Sequence, residues 1–332
     1  QALAGAAKVL EAEYYAPFLN HATMEPQTAT ALVTDDRVEV WVGTQNGETS
    51  IAAASEASGL PLDKVHVHKM HAGGGFGRRG LYNEYVKQAI RIAQTMPGTP
   101  VRLQWSREED MRQGRYRPVS MTRMRAGIDA QGRWTGWHVR IAEQSLAAAA
   151  LTQFLKDGVD QVGVRAFADQ PYDVANYLLD YAMRNTHVPP GPWRAVAHTN
   201  NPFARECFVD EIAHALKRDP VEFRRPLLAK KPKDLAVMEA VAKAAGWGRP
   251  LPAGVHRGIA VSDSYGSYSA AVVELAVRDG SVIEVKRVFV ALDPGHVVHP
   301  DAVRAQIEGG AVWALSAVMH EEITIEKGRV VQ

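Results

Sequence analysis

The sequence predicts an α+β protein with mixed sheets and packed helices, and three observations carry that prediction. Hairpin signals recur, with alternating apolar runs closed by Asp-rich or Asp-Gly turns. Amphipathic helical patterns lie between them without the strict strand–helix alternation of a doubly wound sheet. The last hundred residues open with a helix and then run through consecutive strands. The chain has 332 residues, enough for two domains or one with a sizeable core, and 46% apolar with 23% charged content suits a globular protein.

In chain order, residues 2–12 read as a short helix or linker. Thr30–Val33 and Val38–Gly43 form a hairpin around Asp35-Asp36, and Thr49–Ala57 a helix ended by Gly59. The strand Val65–Met70 runs into a glycine loop, and a helical pattern from Leu81 to about Thr95 follows. Val101–Trp105 is a strand, and Arg107–Asp110 begins a polar helical turn. Met121–Ile128 and Trp134–Ile141 alternate around Asp129-Ala130-Gln131-Gly132, a further hairpin.

Residues 145–190 are read as a helix with irregular surface segments, and Pro189-Pro190-Gly191-Pro192 as a loop. Phe203–Leu216 is an amphipathic helix holding the single cysteine, Cys207, as a buried packing residue. Asp219 caps a helix through Leu228, with Pro220 at its first position. Lys230-Lys231-Pro232-Lys233 reads as an exposed linker, dividing the chain into 1–230 and 231–332. Beyond it come the helix Leu235–Ala245, the strands Gly258–Ser262, Ala270–Val277 and Val282–Leu292, and the helix Pro300–Val318 with His299 as N-cap. A hairpin over Glu322–Val331 turns at Lys327-Gly328.

Charge and composition exclude several partners. A net charge of +1 points to no nucleic-acid partner, and no 18-residue apolar run is present to span a membrane. One cysteine permits neither an internal disulfide framework nor a cysteine-ligated cluster. His66 and His68, or His296 and His299, lack a third ligand at zinc spacing. No Gly-x-Ser-x-Gly elbow anchors a serine hydrolase.

The chemistry gathers in His71–Gly80. Five glycines in the eight residues Gly73–Gly80 let the backbone turn at positive φ and come close to a ligand. A following helix start, with Arg78 and Arg79, suits an anionic cofactor. The plain alternative is a tight turn with two solvated arginines. Gly75-Phe76-Gly77-Arg78-Arg79-Gly80 also fits the dinucleotide template, making an NADP-binding oxidoreductase an alternative, yet the acidic residue expected about 20 positions on is absent. Gly191-Pro192-Trp193-Arg194-Ala195-Val196 is a second rigid loop, with a packed, salt-bridged corner as its plain reading. Asp263–Tyr268, bearing Gly266, is a third bend. The Gly309-Gly310 pair implies close helix packing, with Gln306 one turn earlier facing a ligand. Several backbone-rich loops with few acids or bases suit a large polar cofactor held mostly by amides.

The arrangement resembles a known family. Glu25-Pro26 follows His21 in a His-x-x-x-Glu-Pro setting. Gly73-Gly74-Gly75-Phe76-Gly77, Arg107–Asp110, Gly191-Pro192-Trp193-Arg194 with Glu206 and Asp210-Glu211, and Asp293-x-Gly295…Pro300…Gln306-x-Glu308-Gly309-Gly310 come after it in order. Together these are similar to the molybdenum-binding large subunit of the xanthine oxidase family, most of all the isoquinoline 1-oxidoreductase β subunit branch. The resemblance implies a molybdenum-cofactor-binding domain type and a molybdopterin-dependent oxidoreductase carrying molybdenum-molybdopterin cytosine dinucleotide. It implies water-derived hydroxylation of an N-heterocycle such as isoquinoline, with aldehyde oxidation as the alternative substrate class. Electrons would leave through [2Fe-2S] clusters on a small partner subunit. By position, Gly74, Gly75, Phe76, Gly77 and Arg78 would meet the cofactor on one side, Trp193, Arg194 and Ala195 on the other, and Gly266 and Gln306 would complete the site.

Two departures qualify what the resemblance implies. The family's general base is a glutamate in a Gly-Glu-Pro segment, and no Gly-Glu-Pro occurs in these 332 residues. Gly80 stands where purine-oxidising members carry a substrate-contacting glutamate, which argues against purines. The expectation is an internal piece of a larger subunit that turns over little by itself; a non-catalytic scaffold piece is the remaining alternative. Compartment is not legible.

Overall fold

The computed structural model describes residues 2–332. Along the chain run β1 (Lys8–Ala16), β2 (Thr28–Val33), β3 (Val38–Gly43), α1 (Gly47–Ser58), β4 (Val65–Met70), α2 (Glu84–Ala93), β5 (Val101–Gln104) and α3 (Arg107–Arg112). Next come β6 (Ser120–Ile128), β7 (Trp134–Glu143), α4 (Leu146–Ala150), β8 (Leu155–Lys156), β9 (Val159–Asp160) and β10 (Asn176–Met183). The remainder holds α5 (Ala197–Ala215), α6 (Pro220–Leu227), α7 (Pro232–Ala244), β11 (Val255–Ser264), β12 (Ser267–Arg278), β13 (Val282–Asp293), α8 (Pro300–Met319), β14 (Ile325–Glu326) and β15 (Arg329–Val330). The mixed α+β class expected from the pattern is the class observed.

Two cores organise these elements. The first belongs to the sheet ordered β4-β3-β2-β5, in which β2 is antiparallel to β3 and β5 while β3 and β4 are parallel. Alternation in Val38-Glu39-Val40-Trp41-Val42 sends the valines inward. Tyr85, Val86, Ala89, Ile90 and Ala93, recurring at helical spacing on α2, cover them. Asn46 caps α1 by accepting from Glu48 and Thr49 amides, and Gly59 closes it at φ 78°.

The second core is larger. The sheet β1-β6-β7-β10 lays Met124, Ala126, Trp137 and Val139 against Phe208, Val209 and Ile212 of α5. The same cluster continues through Val237, Met238 and Val241 of α7 to Ile259 and Val261 of the meander β11-β12-β13. Apolar packing therefore runs straight through position 230, where the linker was expected. Lys231 is the residue before α7, and Pro232 is its first position.

Two segments differ from their sequence reading. Residues 8–12 are strand, not helix or linker, because β1 pairs with β6 from Lys8↔Ile128 to Ala16↔Ser120. Within 145–190, β10 lies parallel to β7, and Val164, Ala166, Phe167 and Tyr172 are buried rather than on an irregular surface. Cys207 is only partly buried, its thiol pushed up to about 11 by burial and by the Asp210 carboxylate. A thiol held protonated in this way is a packing group, not a nucleophile.

Candidate functional site

The glycine loop leaves β4 and does not turn directly into a helix, since α2 starts only at Glu84. Gly74, Phe76 and Gly77 take φ of 101°, 55° and 105°, and such sign changes aim successive amides at one concavity. Among the described residues, the amides of Gly74, Gly75 and Phe76 find no acceptor, whereas Gly77 donates to Gln45 Oε1 at 2.9 Å. The loop is held from behind. Glu25 Oε2 accepts from Gly73 N at 2.9 Å and from Arg79 Nη2 at 3.0 Å. Arg79 also donates to the carbonyls of Gly74 and Gly43.

The two arginines therefore do not behave as solvated cations. Arg78 and Arg79 are 1% and 0% exposed. Arg78, expected at the cofactor, pairs with Glu84 at 3.1 Å and lies over the Trp105 ring, and its Nε and Nη2 have no partner among the described residues. The dinucleotide alternative fails on the same facts. Both arginines are buried, out of reach of a 2′-phosphate in solution, and after α2 the chain crosses to β5 at the far edge of the sheet, paired with antiparallel β2, instead of to a strand lying beside β4.

The second wall is the corner before α5. Ala195 and Val196 both take positive φ, 68° and 55°, and for β-branched Val196 that is a strained conformation. Trp193 is buried, with its indole N–H toward Asn20 O at 3.4 Å. The amides of Arg194 and Ala195 take no acceptor among the described residues. A Cβ built on Gly77 would sit 1.8 Å from Pro192 O, so only glycine lets the loop and this corner meet.

Helix α8 closes the third side. Arg194 Nη2 donates to Gln306 O at 3.3 Å and to Gln306 Oε1 at 3.2 Å, leaving the Gln306 amide NH2 free. Trp313 places its ring 3.9 Å from Phe76 and 5.5 Å from Trp193, centroid to centroid. Gly75, Phe76, Gly77, Trp193, Arg194 and Gln306 are thus brought together from three separate stretches. Gly266 sits farther off, on the β11–β12 turn, where Tyr265 at φ 51° lies 5.6 Å from the His198 ring of α5. Tyr265 joins Tyr82, Phe154, Leu81, Pro192 and Val196 in a largely apolar pocket of about 150 Å³ beside both walls. The Gly309-Gly310 pair does not mark close helix packing: a Cβ on Gly309 meets nothing within 4 Å, and one on Gly310 only the tip of Arg194.

Sequence reasoning passed over several residues here. Gln45, His21 and Trp313 carry no local signal of their roles. His21 belongs to the His-x-x-x-Glu-Pro motif, but nothing near it in the chain predicts a bond to Pro192.

The donor set fits a bulky oxyanion with a flat ring system. Amides without acceptors lie on two loops that meet at Gly77 and Pro192, and glycines leave the backbone there uncovered. Comparison with known proteins agrees. Residues 1–227 and 211–332 each match a family profile described as a molybdopterin cofactor-binding domain. The chain belongs to the molybdopterin cofactor-binding family. Isoquinoline 1-oxidoreductase subunit beta of Brevundimonas diminuta is 31% identical over 95% of this chain and 41% of its own length. A membrane-bound aldehyde dehydrogenase (pyrroloquinoline-quinone) of Gluconacetobacter polyoxogenes is 29% identical over 99% of this chain and 46% of its own. Quinoline 2-oxidoreductase from Pseudomonas putida 86 shares the fold at a TM-score of 0.65 and 20% identity, over 81% of this chain and 36% of that one. The chain thus spans less than half the length of the curated relatives it matches. No helix among the described residues is long and apolar enough to cross a membrane.

Proposed function

We propose that this chain is the cofactor-holding part of a molybdenum hydroxylase subunit that oxidises an N-heterocycle at carbon. The molybdopterin, in its cytosine dinucleotide form, lies between the glycine loop and the Trp193 corner. A small subunit carrying [2Fe-2S] clusters takes the electrons. The observation that carries the reading is the convergence of free amides at Gly74–Phe76 and Arg194–Ala195 with the spare amide of Gln306. Backbone donors hold anionic oxygens without titrating, so their grip does not vary with pH.

When bound, the molybdenum centre supplies the two-electron oxidation that places a water-derived oxygen on an electrophilic carbon. The chain's own part is to bind and orient. Gly77 admits the Pro192 carbonyl, Arg194 fixes Gln306, and the pocket walled by Tyr82, Phe154 and Tyr265 favours a flat aromatic substrate over a small aldehyde. The proton-accepting base lies outside these 332 residues, so the chain alone turns over little.

Metal analysis with nucleotide release tests this. Molybdenum and cytidine monophosphate released by acid are the expected result. A quinone in place of molybdenum, or a folded protein with no cofactor under molybdate-replete expression, overturns it. Faster turnover of benzaldehyde than of isoquinoline would overturn the substrate reading alone.

A further inference from the structure

Both walls of the cleft rest on one short segment, residues 20–27. Glu25 holds the glycine loop through Gly73 and Arg79. Asn20 receives the Trp193 indole N–H on its carbonyl. Between them His21, 1% exposed, sets its Nε2 2.9 Å from Pro192 O. A carbonyl only accepts, so Nε2 carries the proton and donates. Pro192 O is also the atom that crowds Gly77 most closely.

We propose that His21 is a positioning residue that sets the separation of the glycine loop and the Trp193 corner, and through it the grip on the cofactor. The proposal rests on the cofactor reading given above. Its physical basis is a single buried hydrogen bond at a place where the two walls meet closely, Gly77 against Pro192. Burial, with the nearby Arg78 charge, pushes the imidazole down to about 4. It therefore stays neutral, with one donor and one bare nitrogen, Nδ1, which has no partner. A charged imidazolium would place a second buried cation beside Arg78, a cost that the backbone of Pro192 and Arg115, which favours the charge, does not offset. The link is built to be constant, not switchable.

The test compares His21→Gln, His21→Asn and His21→Leu in the full protein expressed with molybdate. Glutamine reaches about as far as Nε2 and keeps the donor; asparagine mimics only the Nδ1 side; leucine keeps volume alone. Loss of a buried hydrogen bond that strands a carbonyl corresponds to a roughly 10-fold effect. The expected result is molybdenum per chain near wild type in His21→Gln and about 10-fold lower in the other two. Hydrogen exchange supplies a readout that needs no cofactor. The bonded amides of 73–80 and the Val196 amide in the peptide 192–196 should exchange about 10-fold faster in His21→Leu and as wild type in His21→Gln, while β6 and β7 stay protected. If His21→Gln behaves like His21→Leu, or if all three only lower the melting temperature and leave both peptides and molybdenum content unchanged, the positioning role is overturned. Absence of molybdenum from the wild type sinks the cofactor reading instead, and the exchange data still decide the role of His21.

Discussion

The ring of Phe76 lies 3.9 Å from the ring of Trp313, tilted by 31°, and this contact joins the glycine loop to helix α8. Phe76 reaches it because its own backbone is at φ 55°, a conformation rare for an aromatic residue. The helix has little else to rest on. Val312 and Val318 stand 68% and 75% exposed, and no residue of α8 is buried. An aromatic pair contributes about 1 kcal/mol beyond area burial. Trp313→Ala should therefore make α8 amides exchange about 5-fold faster while the global melting temperature moves little. Trp313→Phe should keep most of the protection.

Gly77→Ala should be far more damaging than its size suggests. The residue is at φ 105°, and the added carbon would lie 1.8 Å from Pro192 O, a backbone atom that cannot swing aside. Conformational strain and forced separation together cost roughly 2–4 kcal/mol. A loss of unfolding free energy of that size in urea melts, with faster exchange at Val196, is the expected measurement.

Gly309→Ala should do the reverse. It stands inside α8 with open space where the methyl would go. Removing the backbone freedom of glycine in a helix is worth about 1 kcal/mol. Slower exchange across α8, with cofactor content unchanged, is expected.

Glu206 is the polar knot of the larger core. It accepts from Arg205 Nε at 2.9 Å, Tyr172 OH at 2.7 Å and Val261 N at 3.1 Å, and pairs with Arg224, which also reaches Asp210. Burial pushes its carboxyl up, but Arg224 and Arg205 outweigh that and hold it below the usual range. Glu206→Ala would leave buried Arg205 without a carboxylate and Arg224 with Asp210 alone, and should cost about 3–5 kcal/mol. Because Glu206 sits on α5 and Val261 on β11, the chain should still lose structure in one transition by both tryptophan emission and far-ultraviolet dichroism.

What the sequence reveals follows the range of the interactions. The hairpin at Asp129–Gly132 is legible because Gly132 at φ 73° and the Asp129 side chain, accepting from Gln131 and Arg133 amides, act within five residues. His299 as N-cap is equally local, its Nδ1 accepting from Ala302 N. β1 is hard to read because it is an edge strand: its outer face carries Glu11 and Glu13 opposite Arg125 and Arg123, and its inner stripe, Leu10, Ala12 and Tyr14, is only half-buried against the core. β10 hides because its partner, β7, is reached across a long excursion. At the site, the glycines and Trp193-Arg194 carry recognisable patterns. Trp313 and Gln45 acquire their roles only when distant stretches meet.

Glu143 makes stability depend on pH in a direction opposite to that of a salt-bridged carboxylate. It is 4% exposed, and its Oε1 has no partner. The neighbouring Asp160 carboxylate already takes Ser145 Oγ at 2.8 Å and the amides of Ala147, Val162 and Gly163. Burial first, and the Asp160 charge second, push Glu143 up to about 8. Below about pH 4.5 the group is protonated whether the chain is folded or not, and it costs nothing. Between there and about pH 8 only the folded state keeps the proton, so stability falls by up to about 1.4 kcal/mol per pH unit. Asp234, pushed up to about 6 by burial and Asp263, adds a slope of the same sign that ends earlier. Above pH 6 His21 and His198, held neutral by burial, work the other way until about pH 7, and Cys207 adds to the fall at about pH 8.5. The Glu143 contribution is therefore the difference between wild type and a variant that lacks the carboxyl. Glu143→Gln keeps the shape and removes the titration. Between pH 6.5 and 8.5 the wild-type urea midpoint should fall relative to that of the variant, leaving the variant the more stable protein at the higher pH.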